Sequence, residues 1–339
     1  MLTSDLDFTF PPELIATEPS TVCRVALVDR DGMPKELNLK GLLAEFRAGD
    51  LLVINESKVI PARVFSTDQI EVLFLRAIDG EHWQVLFPAR EFKVGGTLEM
   101  PDGLILTLIE KGLPQTVKLS QPIDLAYFEK VGEVALPPYI QEARGQRRNR
   151  SEDVRWYQTD WARQPGSVAA PTASLHFQQS DLDTLRDRKV DVARVTLHVG
   201  AGTFLPVKAQ DLTQHVMHEE WAEIPPETLK RIEQAKARGG RVWALGTTVA
   251  RTLESYAQNL LQAQPDGSAT GATKLFIYPP YEFKICDALL TNFHQPKSTL
   301  LGLVAAFAGL ERTKSAYKWA IERRFRLFSY GDLSAWIKP

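Results

Sequence analysis

V-I-P-A-R-V-F (59–65), I-E-V-L-F-L-R-A-I (70–78), H-W-Q-V-L-F (82–87), L-I-L-T-L-I (104–109) and T-V-K-L (116–119) follow one another with no helical period between them. Asp79-Gly80 and Asp102-Gly103 punctuate the runs, and Gly tolerates the positive φ that tight hairpin turns need. Short strands joined by tight turns predict a small antiparallel barrel or sandwich. Outward from this block the pattern changes on both sides. Upstream, R-V-A-L-V (24–28), L-K-G-L-L-A-E-F (39–46) closed by Gly49, and D-L-L-V-I (50–54) read strand, helix, strand. Downstream, V-A-R-V-T-L-H-V (192–199) is a strand and P-E-T-L-K-R-I-E-Q-A-K-A-R (226–238) a helix. Pro226 stands near the start of that helix and Gly239-Gly240 just past its end. R-V-W-A-L-G (241–246), T-T-V-A-R-T-L-E-S-Y-A (247–257), C-D-A-L-L (286–290) and S-T-L-L-G-L-V-A-A-F (298–307) continue the alternation. The predicted fold is therefore an α/β main domain, residues 1–63 and 121–339, with a small antiparallel β-barrel domain inserted at 64–120. The competing division is an N-terminal β domain followed by an α/β domain.

Composition narrows the classes but names none. The 339 residues carry 44% hydrophobic and 24% charged side chains, ordinary for a globular chain and against disorder. Net charge is −2, which excludes a generally basic nucleic-acid coat but leaves room for local basic patches. Cys23 and Cys286 stand far apart, outside any C-x-x-C pair, against a disulfide scaffold or a thiolate zinc site. Asp5 and Asp7 occupy the place where a secretion signal needs a cation and an apolar stretch. The longest apolar run, T-L-L-G-L-V-A-A-F-A-G-L (299–310), is short of the ~18–20 residues of a membrane span. The expectation is a cytoplasmic protein with no membrane partner.

Standard motifs fail. H-V-G-A-G-T-F (198–204) has Leu205 where a dinucleotide fingerprint needs a third glycine, and Q-P-K-S-T (295–299) has Pro296 where a phosphate loop needs its second. His215 and His218 share a helical face at i, i+3 if H-V-M-H-E-E-W is helical, but no third ligand is near, so no metal is expected. More informative are four places where an apolar segment enters a polar loop before a helix: 169–177, 197–204, 245–251 and 289–299. In open α/β sheets ligands bind outside the carboxyl ends of the strands, where helix N-termini present free N–H groups. The plainer alternative is that Thr172, Thr247 and Ser298 are N-caps. Set against it, the same loops hold His176, His198, Arg251, Asn292, His294 and Lys297, which together suggest a polar pocket. For the histidines a hydrogen-bonded core imidazole remains the alternative.

Two basic stretches stand apart. R-G-Q-R-R-N-R (144–150), with Arg144, Arg147, Arg148 and Arg150, is a solvated loop or a phosphate-contacting arm. E-R-R-F-R-L-F (322–328) interleaves aromatics with arginine and suits either base stacking or a helix end with dipole-matched cations.

The ordered set of G-D-L-L-V-I-N-E-S-K-V-I-P-A-R (49–63), L-P-P-Y-I (136–140), Y-Q-T-D-W-A (157–162), G-S-V-A-A-P-T-A-S-L-H-F (166–177), T-L-H-V-G-A-G-T-F-x-P-V (196–207), H-x-M-H-x-E-W (215–221), G-T-T-V-A-R-T-L-E-S (246–255), D-A-L-L-T-N-F-H-Q-P-K-S-T-L-L (287–301) and F-S-Y-G-D (328–332) resembles the S-adenosylmethionine:tRNA ribosyltransferase-isomerase family of queuosine biosynthesis. The resemblance implies an α/β domain interrupted by a small β-barrel. It also implies ribosyl transfer from S-adenosylmethionine to 7-aminomethyl-7-deazaguanine at the tRNA wobble position. Epoxyqueuosine forms, and adenine and methionine leave. S-adenosylmethionine is then a co-substrate, with no separate cofactor, and a monomer is expected.

That chemistry sets requirements. A base must remove a proton from the 5′ carbon beside the sulfonium, and adenine must be protonated as it leaves. The acceptor amine must be neutral and close. His176 and His198 are the acid/base candidates, with Glu220 as a carboxylate alternative. Thr172, Arg251, Asn292, His294, Lys297, Tyr330 and Asp332 are assigned to substrate positioning, and Arg144, Arg147, Arg148 and Arg150 to tRNA.

The departures from the family pattern cluster. P-S-T-V-C-R (19–24) retains only Arg24 of an expected Arg-Asp-small-Arg. Glu56 stands in N-E-S-K, Glu91 replaces a basic residue, Ser174 replaces a glycine, and L-S-A follows Asp332. The second-half loops are mostly intact, so substrate handling is expected to depart further than the chemistry. Two alternatives accompany the main reading. One is a divergent S-adenosylmethionine user with another acceptor, the other a tRNA-binding relative without catalysis.

Overall fold

A computed structural model describes residues 1–200, 202 and 209–338. In chain order the first elements are β1 (Arg24–Val28), β2 (Pro34–Asn38), α1 (Leu39–Ala44), β3 (Leu51–Asn55) and β4 (Ser57–Val59). β3 is buried along its whole length, as its unbroken apolar run requires of a central strand. Its successive side chains serve opposite faces: Leu51 and Val53 enter one hydrophobic core, Leu52 and Ile54 the other.

The β-only block folds as six strands: β5 (Arg63–Phe65), β6 (Glu71–Ala77), β7 (His82–Leu86), β8 (Thr97–Glu99), β9 (Ile105–Glu110) and β10 (Gln115–Leu119). They pair antiparallel in the order β5-β6-β7-β10-β9-β8 and share no strand with the main sheet. The sheet curls until the Thr67 N–H donates to Glu99 O at 2.9 Å, joining its two ends by one backbone bond rather than by a ladder. What forms is a half-closed sheet, not a closed barrel. Its core includes Phe128 of α2 (Leu125–Val131), packed edge-on against Phe74 and Trp83, so this core recruits residues beyond 120. α3 (Pro138–Arg144) and α4 (Asp153–Trp156) follow.

β11 (Gln164–Ser167) pairs with β4 in a two-stranded sheet of its own, and the large sheet is completed through α5 (Gln179–Asp187), β12 (Asp191–Leu197), β13 (Glu220–Ile224), α6 (Pro226–Ala237), β14 (Val242–Leu245) and α7 (Thr247–Ala257). It ends with β15 (Gln262–Ala263), β16 (Ala269–Thr273), β17 (Ala288–Asn292), α8 (Thr299–Ala308), α9 (Leu310–Glu322) and β18 (Leu333–Ile337). Ten strands lie in the order β15-β16-β13-β12-β3-β14-β17-β18-β1-β2. β12, β3, β14 and β17 are mutually parallel, so their carboxyl ends share one edge. Helices cover both faces, α1 and α5 on one core, α6, α7, α8 and α9 on the other. The short β2, β15 and β16, and β18 running parallel to β1, were not anticipated.

One helical expectation fails. Residues 215–219 are not helical, so His215 and His218 have no common helix face. His215 instead packs edge-on against Phe276 at 5.3 Å. No three potential metal ligands cluster among the described residues, and no described helix is long and apolar enough to cross a membrane.

Candidate active site

The carboxyl edge of β12, β3, β14 and β17 opens onto a cavity of about 340 Å³, within the usual ~300–1,000 Å³ of small-molecule sites. Three features of the backbone build it. Asn55, at the end of β3, is wholly buried and donates to Leu197 O at 3.1 Å while accepting from Leu197 N and Ser57 N, locking β3 to β12. Gly246 turns β14 sharply into α7 with φ +99°, a conformation in which a side chain would be strained. At the end of β17, Asn292 accepts from Thr172 Oγ1 at 2.7 Å and donates to Gly331 O at 3.1 Å. That single amide draws the 169–177 and 328–332 loops onto one strand end.

The N-cap alternative splits. Ser298 is a cap: its Oγ accepts from Leu301 N at 3.2 Å at the start of α8. Thr172 is not, because its hydroxyl is committed to Asn292. Nor is Thr247, which lies inside α7 behind an uncapped Gly246.

Of the ten catalytic and positioning residues expected, Thr172, Glu220, Arg251, Asn292, His294 and Lys297 line the cavity. Glu220 and Arg251 form a buried ion pair, and Glu220 Oε1 also accepts from Gly200 N at 2.9 Å. Each Glu220 oxygen thus has one protein partner, which fixes the carboxylate in the cavity wall and speaks against the role of carboxylate base. His294 Nε2 lies 2.8 Å from Thr291 Oγ1, and burial pushes the ring down to about 3, keeping it neutral. Lys297 pairs with Asp7 at 2.7 Å and has φ +57°.

His176 and His198 do not line the cavity. His176 sits behind Asn292, its Nε2 3.4 Å from Nδ2, and burial lowers it to about 4. His198 misses for a reason of parity. On β12 and just beyond it, Leu197 and Val199 face the cavity side, so His198 faces the other way. There it stacks on Trp221, with centroids 5.6 Å apart and planes 19° from parallel. Gly166, at φ +136°, lets the ring approach so closely that a Cβ would stand 3.1 Å from it. Residues 201 and 203–208 of the same glycine-bearing loop lie outside the described residues.

Tyr330 and Asp332 are also corrected. Both are about 1% exposed and support the 328–332 loop from beneath. Asp332 accepts from Arg326 N and Arg24 N, and burial raises its carboxyl. Tyr330 packs edge-on against Tyr157. The cavity instead receives their neighbours Phe328 and Ser329. Ser329 Oγ meets Tyr139 Oη at 2.5 Å, and Phe328 holds φ +71° with its ring 5.0 Å from Tyr139. Tyr139, Tyr157, Phe328 and Ser329 were missed, although L-P-P-Y-I, Y-Q-T-D-W-A and F-S-Y-G-D marked their segments. Two non-glycine residues with positive φ, Lys297 and Phe328, thus line one cavity, the kind of strain that gathers at functional sites.

The arginine loop divides as well. Arg144 is no phosphate contact: its guanidinium is 2% exposed, binds both oxygens of the fully buried Asp153 and reaches Thr17 O. Arg147, Arg148 and Arg150 are exposed enough to reach a partner, but each meets a carboxylate, Glu71, Glu133 and Glu18 in turn. Arg148 also lies over Phe65 at 4.0 Å. In the second basic stretch Phe325 is fully buried under Arg24, so it offers no platform for a base. Arg24, left from the altered N-terminal pattern, ties Glu36 to the end of α9.

The comparisons with known proteins cover this whole architecture. A family model described as "Queuosine biosynthesis protein" matches residues 3–335. The S-adenosylmethionine:tRNA ribosyltransferase-isomerase of Citrifermentans bemidjiense is 44% identical over 98% of both chains, and that of Desulforamulus reducens 42% identical over the same shares. The crystal structure of S-adenosylmethionine tRNA ribosyltransferase from Thermotoga maritima superposes with a TM-score of 0.57 and 33% identity. It covers 98% of this chain and 100% of the other. Neither alternative, another acceptor or a binding protein without catalysis, is favoured by relatives so named and so fully aligned. The chain belongs to the queuosine biosynthesis protein family.

Proposed function

We propose that the chain is an S-adenosylmethionine:tRNA ribosyltransferase-isomerase that acts on tRNA carrying 7-aminomethyl-7-deazaguanine at the wobble position, forms epoxyqueuosine and releases adenine and methionine. The observation that carries this reading is the convergence of the second-half loops on one cavity with an ion-paired corner and an aromatic wall, in a chain aligned end to end with relatives of that name. The cavity takes the donor. S-adenosylmethionine is consumed as a co-substrate, and no further cofactor or metal is invoked.

Of the six histidines, His294 alone lines the cavity. Held neutral by burial, its ring takes up a proton poorly near neutrality, so it suits hydrogen-bonded positioning of the substrate rather than proton removal. Thr291 fixes its ring. His176 acts through Asn292 as a positioning residue. Tyr139 and Ser329 share a hydroxyl pair at the opposite loop and are the candidates for handling the leaving base or the amine.

The domain division 1–63, 64–120 and 121–339 belongs to the same proposal, with the half-closed sheet as an inserted barrel-like unit. Its support is that the two sheets share no strand. The tRNA would lie along Arg147, Arg148 and Arg150. The protein is read as a cytoplasmic monomer. The test is to incubate the purified protein with S-adenosylmethionine and tRNA bearing the aminomethyl-deazaguanine at low ionic strength. Adenine and methionine should appear together, only with that tRNA, and the nucleoside should gain the mass of an epoxycyclopentanediol. Methyl transfer, or tight tRNA binding without donor consumption, overturns the reading.

A further inference from the structure

Two helices start at the cavity, and they differ. Ser298 caps α8, whereas the first turn of α7 has no side-chain cap, and its Thr247 and Thr248 line the cavity. Four residues after Thr247, and so on the same helix face, stands Arg251, 6% exposed and also lining the cavity. Two of its nitrogens are engaged: Nη1 by Glu220, and Nε by Leu275 O at 3.2 Å. Nη2 has no partner among the described residues. A guanidinium clamped on two sides cannot swing away, and its third nitrogen has no acceptor among the described residues. An uncapped helix start beside it adds free N–H groups and the positive end of a dipole.

We propose that this corner is the subsite for the zwitterionic amino-acid end of the donor. The α-carboxylate meets Arg251 Nη2 and the first turn of α7, and the α-ammonium meets the Glu220 carboxylate. The proposal rests on S-adenosylmethionine being the donor. Carboxylate and phosphate share the chemistry that recognises Arg251, but Glu220 separates them. A tRNA phosphate placed here would face a carboxylate, whereas an amino-acid head finds both signs of charge.

The experiment is equilibrium binding to the full chain, without tRNA, of S-adenosylmethionine and of decarboxylated S-adenosylmethionine. Loss of the charge-assisted contact to Arg251 Nη2 and the helix start should weaken the decarboxylated donor by ~10–100-fold on the wild-type protein. Because this arm uses no variant, misfolding cannot obscure it. Glu220→Gln with Arg251→Met removes the pair without stranding a charge. That double variant should bind the two donors alike, both more weakly than the wild type binds the decarboxylated one because the ammonium also loses Glu220, and keep its tRNA affinity. Equal binding of the two donors by the wild type overturns this subsite and leaves the proposed donor standing. A variant that loses tRNA affinity but keeps its donor affinity assigns the corner to a phosphate and likewise overturns it. Failure to bind S-adenosylmethionine at all, with or without tRNA, overturns the proposed function itself.

Discussion

The carboxyl edge of the ten-stranded sheet and the concave six-stranded sheet manage their polar side chains in opposite ways. At the sheet edge Thr172, Asn292, Thr291, His294, Glu220 and Arg251 hold one another in place around an open cavity. Beside the small sheet the charges neutralise locally: Arg63, Arg147 and Arg148 surround Phe65 and are met by Glu71 and Glu133. The first arrangement fixes donors and acceptors in geometry before a ligand arrives, which is how a site does chemistry. In the second, a buried Arg63–Glu133 pair is flanked by the exposed pairs of Arg147 and Arg148, whose strength falls with salt and whose partners can be replaced.

If that contrast is right, the largest effect should come from the cavity. His294→Ala should lower single-turnover ribosyl transfer by ~10²-fold, the cost of a misplaced reacting group. Donor affinity should hold. His198→Ala, on the far face of the same sheet, should lose stability through its stack on Trp221 and leave turnover near wild type. Rapid-quench kinetics on both variants decides the matter, and the reverse ranking would restore His198 to the chemistry.

Next comes a structural effect outside the cavity. Arg144 and Asp153 are 2% and 0% exposed. Asp153→Asn strands the arginine in the interior and should cost about 3–5 kcal/mol in urea unfolding, as breaking a buried pair usually does. A change below 1 kcal/mol would mean that Arg144 finds water or another partner, and would return it to the tRNA-facing set.

These assignments show where sequence suffices. The small sheet was legible because its strands, Arg63–Phe65 to Gln115–Leu119, alternate locally and are joined by tight turns, so each pairing follows from its neighbours. β3 was legible from its unbroken apolar run. The loops of the site were legible as places, because a polar segment between strand and helix is a local signal. Their occupants were not. That Phe328 and Ser329 face the cavity while Tyr330 and Asp332 hold the loop depends on a turn with positive φ at Phe328, which no periodicity reports. His198 was mistaken because alternation along a strand gives two faces without saying which one the ligand uses. Arg144 was mistaken because its partner lies nine residues on, across an irregular loop.

A smaller effect belongs to the exposed arginines. Arg147→Ala and Arg148→Ala should each weaken tRNA binding alike across sequences. Each lost phosphate contact should flatten the slope of log affinity against log salt by about 0.7–0.9. Filter binding over a salt series reads it. An unchanged slope would mean that Glu71 and Glu133 keep these side chains, and that the tRNA lies elsewhere.

The smallest effect compares His176, half-buried behind the cavity, with the same imidazole in the unfolded chain. Burial lowers it from the usual 6.5 to about 4. The unfolded chain therefore takes up a proton below pH 6.5 that the folded protein refuses until near pH 4. The stability owed to its neutral form is complete above pH 6.5 and is lost as the pH falls toward 4. His294, lowered to about 3, acts in the same direction, while the raised carboxyls of Asp332 and Glu56 act against it. The measurement is therefore a difference. His176→Gln removes one titrating group and keeps a side chain able to face Asn292. In urea unfolding between pH 6.5 and 4.5 it should lose less stability than the wild type, by at most about 1.4 kcal/mol per pH unit. Its turnover above pH 6.5 should change less than that of His294→Ala, because there His176 only holds Asn292 in place. Parallel pH curves for the two proteins would mean that His176 is charged or well solvated in the folded state, and would remove it from the wall behind the cavity.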